Sequence, residues 1–138
     1  LRKDGDLDGA LTALTGSVQT LASSAAYNDR GTAHLIKGDL VSATADYDEA
    51  IKLDAKNGEA LNNRAWAHYK SGAHAKALED ANKAVTLIND KAYAWDTRGH
   101  IHEALGARKA AEGDFLKALS LDPELASSQS ALKRLTGR

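Results

Sequence analysis

The stretch Asn28-Asp29-Arg30-Gly31 returns 34 residues later as Asn62-Asn63-Arg64-Ala65, and after another 34 as Asp96-Thr97-Arg98-Gly99. Such a recurrence limits the fold more than composition does, since periods of about 20–50 residues mark stacked repeat units. When each unit is numbered from Ser24, Gly58 and Ala92, small residues align at position 8 (Gly31, Ala65, Gly99), position 20 (Ala43, Ala77, Ala111) and position 27 (Ala50, Ala84, Ala118). Position 15 is always glycine (Gly38, Gly72, Gly106), and positions 28 and 30 are aliphatic. Positions 4, 7, 8 and 11 fall on one stripe of a 3.6-residue helix. Glycine at 15 ends that helix, because it adopts the left-handed C′ conformation cheaply. A second stripe at 20, 24, 27 and 28 predicts a second helix. One such pair cannot bury its apolar faces alone, so successive pairs must stack.

Composition agrees and excludes several functions. Alanine is abundant, proline occurs once and cysteine is absent, which favours helix and removes disulfides and thiolate metal sites. Eighteen basic side chains against nineteen acidic ones leave a formal charge of −1, with no long-range pull towards nucleic acid or an anionic membrane. No apolar run approaches the ~18 residues of a membrane span, so no membrane insertion is expected. Methionine is absent, so the chain does not begin at a start codon. It reads as a fragment or processed product whose targeting signal is not visible, and its compartment stays open.

Tyr27 or Trp95 at position 4, the small residues at 8, 20 and 27, Tyr47 and Phe115 at 24 (Ala81 departs) and Pro123 at 32 together resemble the tetratricopeptide repeat over residues 24–125. The family's proline at 32 is replaced in the first two units by Ala55 and Asn89. The resemblance implies an all-α, right-handed superhelical solenoid of antiparallel helix pairs. The expected divisions are a truncated repeat with linker over 1–23, repeats over 24–57, 58–91 and 92–125, and a capping helix over 126–138. Residues 5–20 read as the second helix of the truncated repeat, weakened by Gly9 and Gly16. Asp122-Pro123 reads as the N-cap and first turn of the last helix.

Where the family usually has leucine at 7 and tyrosine at 11, each unit here has arginine (Arg30, Arg64, Arg98) and histidine (His34, His68, His102), with aspartate at 23 (Asp46, Asp80, Asp114). Histidine with aspartate is the material of general-base catalysis. An enzyme, however, needs one constellation in one pocket, and this set occurs in every unit with no recurring nucleophile. Equivalent helices stack about 8–10 Å apart, too far for the histidines to share one zinc. The expectation is a structural joint, Arg at 7 bonded to Asp at 23 within its unit or the next. No catalytic residue, metal or cofactor is expected.

Positions 2, 5, 9, 12 and 13 point away from the inner stripe, and the resemblance places them on a concave groove. The expected partner-binding residues are Asn28, Thr32, Asn62, Asn63, Trp66, Tyr69, Tyr93 and His100. A Trp–Tyr cluster is the usual material of an interface hot spot. Some family members grip a chaperone's C-terminal carboxylate with a basic residue and Asn at positions 5 and 9 of one unit, Asn at 6 of the next, and Lys and Arg at 2 and 6 of the third. Here the corresponding residues are Asn28, Thr32, Asn63, Tyr93 and Thr97, and without cations that clamp is not expected. Asp29, Glu59, Asp96 and Glu103 face the groove against Lys70, so a protein or peptide partner with some basic character and an apolar anchor fits. The function implied is a non-catalytic interaction scaffold. The alternative is an assembly, self-associating or regulatory module of a larger protein.

Overall fold

A computed structural model describes residues 3–20 and 22–137. It contains the helices α1 (Lys3–Thr20), α2 (Ser24–Lys37), α3 (Leu40–Leu53), α4 (Gly58–Lys70), α5 (His74–Leu87), α6 (Ala92–Ala104), α7 (Arg108–Leu121) and α8 (Ala126–Thr136), with no strand among the described residues. The outermost residues of the expected truncated repeat and capping helix (1, 2 and 138) and one residue of the linker (21) lie outside the described residues. No described helix is long and apolar enough to cross a membrane.

The helices pair as α2 with α3, α4 with α5, and α6 with α7, and each pair packs on the next through α3–α4 and α5–α6. Helix α1 lies on α2 as α3 lies on α4, and α8 lies on α7 as a further first helix would. The recurring glycines set the hairpin turns. Gly38, Gly72 and Gly106 have φ of 91°, 86° and 81°, a region where a β-carbon is strained. The Gly38 N–H donates to the Leu35 carbonyl at 3.0 Å and the Asp39 N–H to the His34 carbonyl at 2.9 Å, closing the end of α2. Side-chain caps open the early helices: Ser23 Oγ accepts from Ala26 N–H, Asp39 Oδ1 from Ser42 N–H and Asn57 Oδ1 from Ala60 N–H.

The last helix departs from the expectation drawn at Asp122-Pro123. Helix α8 begins at Ala126, and Asp122 instead terminates α7, its N–H donating to Ala118 O at 2.8 Å. The Asp122 side chain accepts from Glu124 N–H at 3.1 Å. This Asx-type turn competes with a helical first turn and delays the helix.

Curvature follows from which helices touch. First helices meet in a row, α2 on α4, α4 on α6 and α6 on α8, whereas no contact joins α3 to α5 or α5 to α7. The second helices therefore splay on the convex side, and the first helices line the concave one. Alanine makes the row possible. Ala60 and Ala94 at position 3, and Ala43, Ala77 and Ala111 at position 20, are fully buried and allow the backbones to approach closely. Tyr47 and Phe115 fill the hairpins of units one and three.

Candidate functional site

The recurring polar set forms three copies of one joint. Each arginine grips the aspartate of its own hairpin through two parallel bonds. Arg30 Nε and Nη2 reach Asp46 at 2.8 and 2.7 Å, Arg64 reaches Asp80 at 2.7 and 2.8 Å, and Arg98 reaches Asp114 at 2.8 Å through both atoms. The carboxylates are nearly buried, with side chains 5–6 % exposed. Bidentate pairing of this kind fixes orientation as well as charge. The guanidinium of Arg30 lies over the Tyr27 ring, and that of Arg98 over the Trp95 ring at 5.1 Å.

The joint has a third arm that leaves no mark in the repeating pattern. Arg64 Nη1 also reaches Asp48 at 2.9 Å, and Arg98 Nη1 reaches Asn82 at 3.2 Å, both on the preceding hairpin. By register the equivalent residue for Arg30 is Leu14, whose side chain has no acceptor. Nor are the joints wholly hidden. Arg64 and His68, with about a fifth of each side chain exposed, form the floor of a cleft between α3 and α5.

His34, His68 and His102 stand beside the same carboxylates, with Nε2 to Oδ2 at 3.7, 3.9 and 3.7 Å. Burial pushes the His68 and His102 imidazoles below their ordinary value, outweighing the pull of Asp80 and Asp114. A histidine whose folded pKa is depressed contributes its full stability above the unfolded value of about 6.5 and loses it as pH falls through the folded one. Melting temperature is therefore expected to drop between pH 7 and 5.5, before the carboxylates titrate. The His68→Gln/His102→Gln variant should flatten that drop, and an undiminished drop in the variant would assign it to other groups.

On the concave face the expected residues divide into two groups. Asn28 and Asn62 are a correction, being 7 % and 6 % exposed and sealed where neighbouring first helices meet. The reason is the close approach of those helices across position 3, which closes over position 5. Asn63 Nδ2 donates to Asn28 Oδ1 at 3.1 Å and to Thr32 Oγ1 at 3.4 Å, and Thr32 Oγ1 meets the Tyr47 hydroxyl at 3.1 Å. Burial raises the Tyr47 phenol to about 12. Asn62 Oδ1 is buried without a partner.

Of the remaining expected residues, Tyr69 and His100 meet around Trp66, and Tyr93 stands apart from them on Glu59. The Trp66 ring stacks on Tyr69 at 4.9 Å and meets His100 edge-on at 5.8 Å, and Lys70 Nζ lies 5.8 Å from its centroid. These rings are half-buried and Lys70 is exposed. Tyr93, 38 % exposed, donates to Glu59 Oε1 at 3.3 Å across α6 and α4.

The acidic character is weaker than the sequence implied. Asp96 is buried and accepts from Ser127 and Ser128 of α8 at 2.9 and 2.7 Å, while Glu103 is held bidentately by Arg134. Ser127 Oγ also lies 2.8 Å from His100 Nε2, so a serine, a histidine and an aspartate converge at one seam. Both Asp96, at 3.5 Å, and Ser127 face the same ring nitrogen. In a hydrolytic triad the carboxylate holds the other nitrogen, leaving Nε2 to take the serine proton. Here the Ser127 hydroxyl donates a hydrogen bond to Asp96 instead, which joins α8 to α6. Burial pushes the Asp96 carboxyl up, but His100 and the two serines together hold it below its ordinary range.

Tetratricopeptide repeat models match residues 1–57, 29–94 and 92–125. No curated protein sequence matches the chain. Among solved structures, the Arabidopsis OM64 TPR domain is 32% identical, covering 83% of this chain and 94% of its own with a TM-score of 0.79. The second TPR domain of human RPAP3, determined with the HSP70 peptide SGPTIEEVD, is 27% identical over 81% of this chain and 93% of its own, with a TM-score of 0.74. MamA covers 99% of this chain and 80% of its own at 19% identity and a TM-score of 0.83, a likeness of fold. With model matches running from its first residues to the end of its third hairpin, over the right-handed stack those relatives share, the chain belongs to the tetratricopeptide repeat family.

Proposed function

We propose that the protein is a non-catalytic interaction scaffold whose concave face, formed by α2, α4, α6 and α8, receives an extended segment of a partner protein. The observation that carries this reading is the Trp66–Tyr69–His100 cluster. Trp66 and Tyr69 stay partly exposed, and His100 keeps 15% of its side chain open, in a fold whose recurring polar side chains are spent on joints. Aromatic side chains in a partly desolvated, rigid setting are where binding energy concentrates. Membership of a family whose repeats generally act as protein-interaction modules supports it, as does the peptide held by the RPAP3 relative. Asn63, oriented by its bonds to Asn28 and Thr32, is the amide we assign to the main chain of such a segment.

A peptide array probed with labelled protein tests the reading. Trp66→Ala should weaken bound spots about 30-fold or more, the scale of a hot-spot residue worth ~2 kcal/mol. Val41→Asp, on the outer face and 83% exposed, should leave them unchanged. Equal signals from wild type and Trp66→Ala would move the site elsewhere. Self-association is the second reading, favoured by helix α1, which packs on α2 alone among the described helices. Sedimentation that shows no concentration dependence would sink it.

A further inference from the structure

The concave face is not uniform along its helices. Near the start of α4 and α6 stand Glu59 and Tyr93, with Asp90 in the turn before α6, all exposed. Towards the helix ends the same face becomes apolar. Ile36 is 72% exposed on α2 and Trp66 and Tyr69 lie on α4, with the exposed Lys70 beside them. All three recurring arginines are bound to buried aspartates and give no positive charge to the groove, and Arg134 is bound to Glu103.

We propose that this groove selects an internal segment carrying a basic side chain towards Glu59 and Tyr93 and an apolar anchor on Trp66 and Tyr69, rather than an acidic chain end. The inference rests on the groove reading above and adds the partner's chemistry and spacing. Glu59 and Trp66 are seven residues apart on one helix, which puts them on one stripe about 10 Å apart along the axis. Tyr69 is about 15 Å along. An extended segment advancing about 3.3 Å per residue spans the roughly 10–15 Å from Glu59 to the two rings in about three to five residues. Lys70 sets the direction, since it repels a cation brought to the apolar end and leaves Glu59 as the favoured site. Lys56 and Lys91 occupy the turns before α4 and α6. Burial first, and then the Glu59 and Asp90 carboxylates, hold the Tyr93 phenol up at about 12, and Glu59 accepts the Tyr93 bond at 3.3 Å.

Three fluorescein-labelled probes decide the matter by anisotropy at low salt: GRGSGLG-amide, its counterpart GEGSGLG-amide, and the acidic tail SGPTIEEVD. The arginine probe should bind the wild type about tenfold tighter than either acidic one, with the preference shrinking as salt screens it. Glu59→Lys should reverse the order, while Trp66→Ala should weaken the arginine and glutamate probes by similar factors. Equal or tighter binding of the acidic probes, or an order unmoved by Glu59→Lys, overturns the inference. If that binding is still lost in Trp66→Ala, the groove reading survives it. Binding untouched by Trp66→Ala overturns the groove reading instead. Failure of all three probes to bind overturns the proposed motif.

Discussion

Replacing Arg64 with methionine is expected to destabilise the protein by about 3–5 kcal/mol, the usual cost of leaving a buried partner charge uncompensated. The buried charge is Asp80, whose side chain is 5% exposed and which receives two of the three Arg64 bonds. Domains are commonly stable by only about 5–15 kcal/mol, so this one change removes a large share. The third bond, to Asp48, should matter less. Asp48 is 55% exposed, and an exposed pair contributes ~0–1 kcal/mol. Arg64→Met/Asp80→Leu separates pairing from bulk, since replacing both partners with apolar groups of similar size is often close to neutral. Urea denaturation of wild type, both single variants and the double variant measures the coupling. Single-variant losses that simply add would mean that Arg64 and Asp80 act independently, and the joint would then be an accident of geometry. Asp48→Ala should cost at most ~1 kcal/mol, and at the α1–α2 junction, where register offers Leu14, there is no such link to lose.

Why that joint was legible, and other contacts were not, follows from repetition. Arg at 7 and Asp at 23 recur unchanged in all three units, so a pairing proposed once is tested on three pairs of residues. The third arm uses position 25, where Asp48 gives way to Asn82 and then Leu116. A column that changes chemistry leaves no periodic mark. Asn28 and Asn62 were misread for a different reason. The helical wheel gives the direction of a side chain but not how near the next helix stands, and alanine at position 3 draws that helix over position 5. Asp96 combines both difficulties. Its partners Ser127 and Ser128 lie on α8, outside the three matched units, so no internal repeat records the contact. Trp66 was legible as a large ring on an outward stripe with Tyr69 one turn on in the same helix, but His100 belongs to α6 and meets the pair only after stacking.

Phe115→Ala is expected to cost about 3–5 kcal/mol as a buried aromatic cavity, and adding Gly99→Ala to it should recover part of the loss. The two positions are coupled by contact. A β-carbon built on Gly99 falls 2.7 Å from Phe115 Cε1, and one on Gly31 falls 2.8 Å from Tyr47 Cε1. In unit two, where Ala81 replaces the ring, position 8 carries Ala65, and both are fully buried in one cluster with Ile101. Glycine at 8 thus accompanies an aromatic at 24, and alanine at 8 accompanies alanine at 24. Taken alone, Gly99→Ala gains up to ~1 kcal/mol of helix propensity and loses about 1–3 kcal/mol to overpacking, so a net loss is expected. Gly16→Ala is the control, because its added carbon meets nothing within 4 Å and only the propensity gain remains. In the Phe115→Ala background the clash is gone, so Gly99→Ala should change sign from destabilising to stabilising. Thermal melts of the four proteins read that sign directly. A Gly99→Ala effect of the same sign and size in both backgrounds would show that the glycine is not there for the ring.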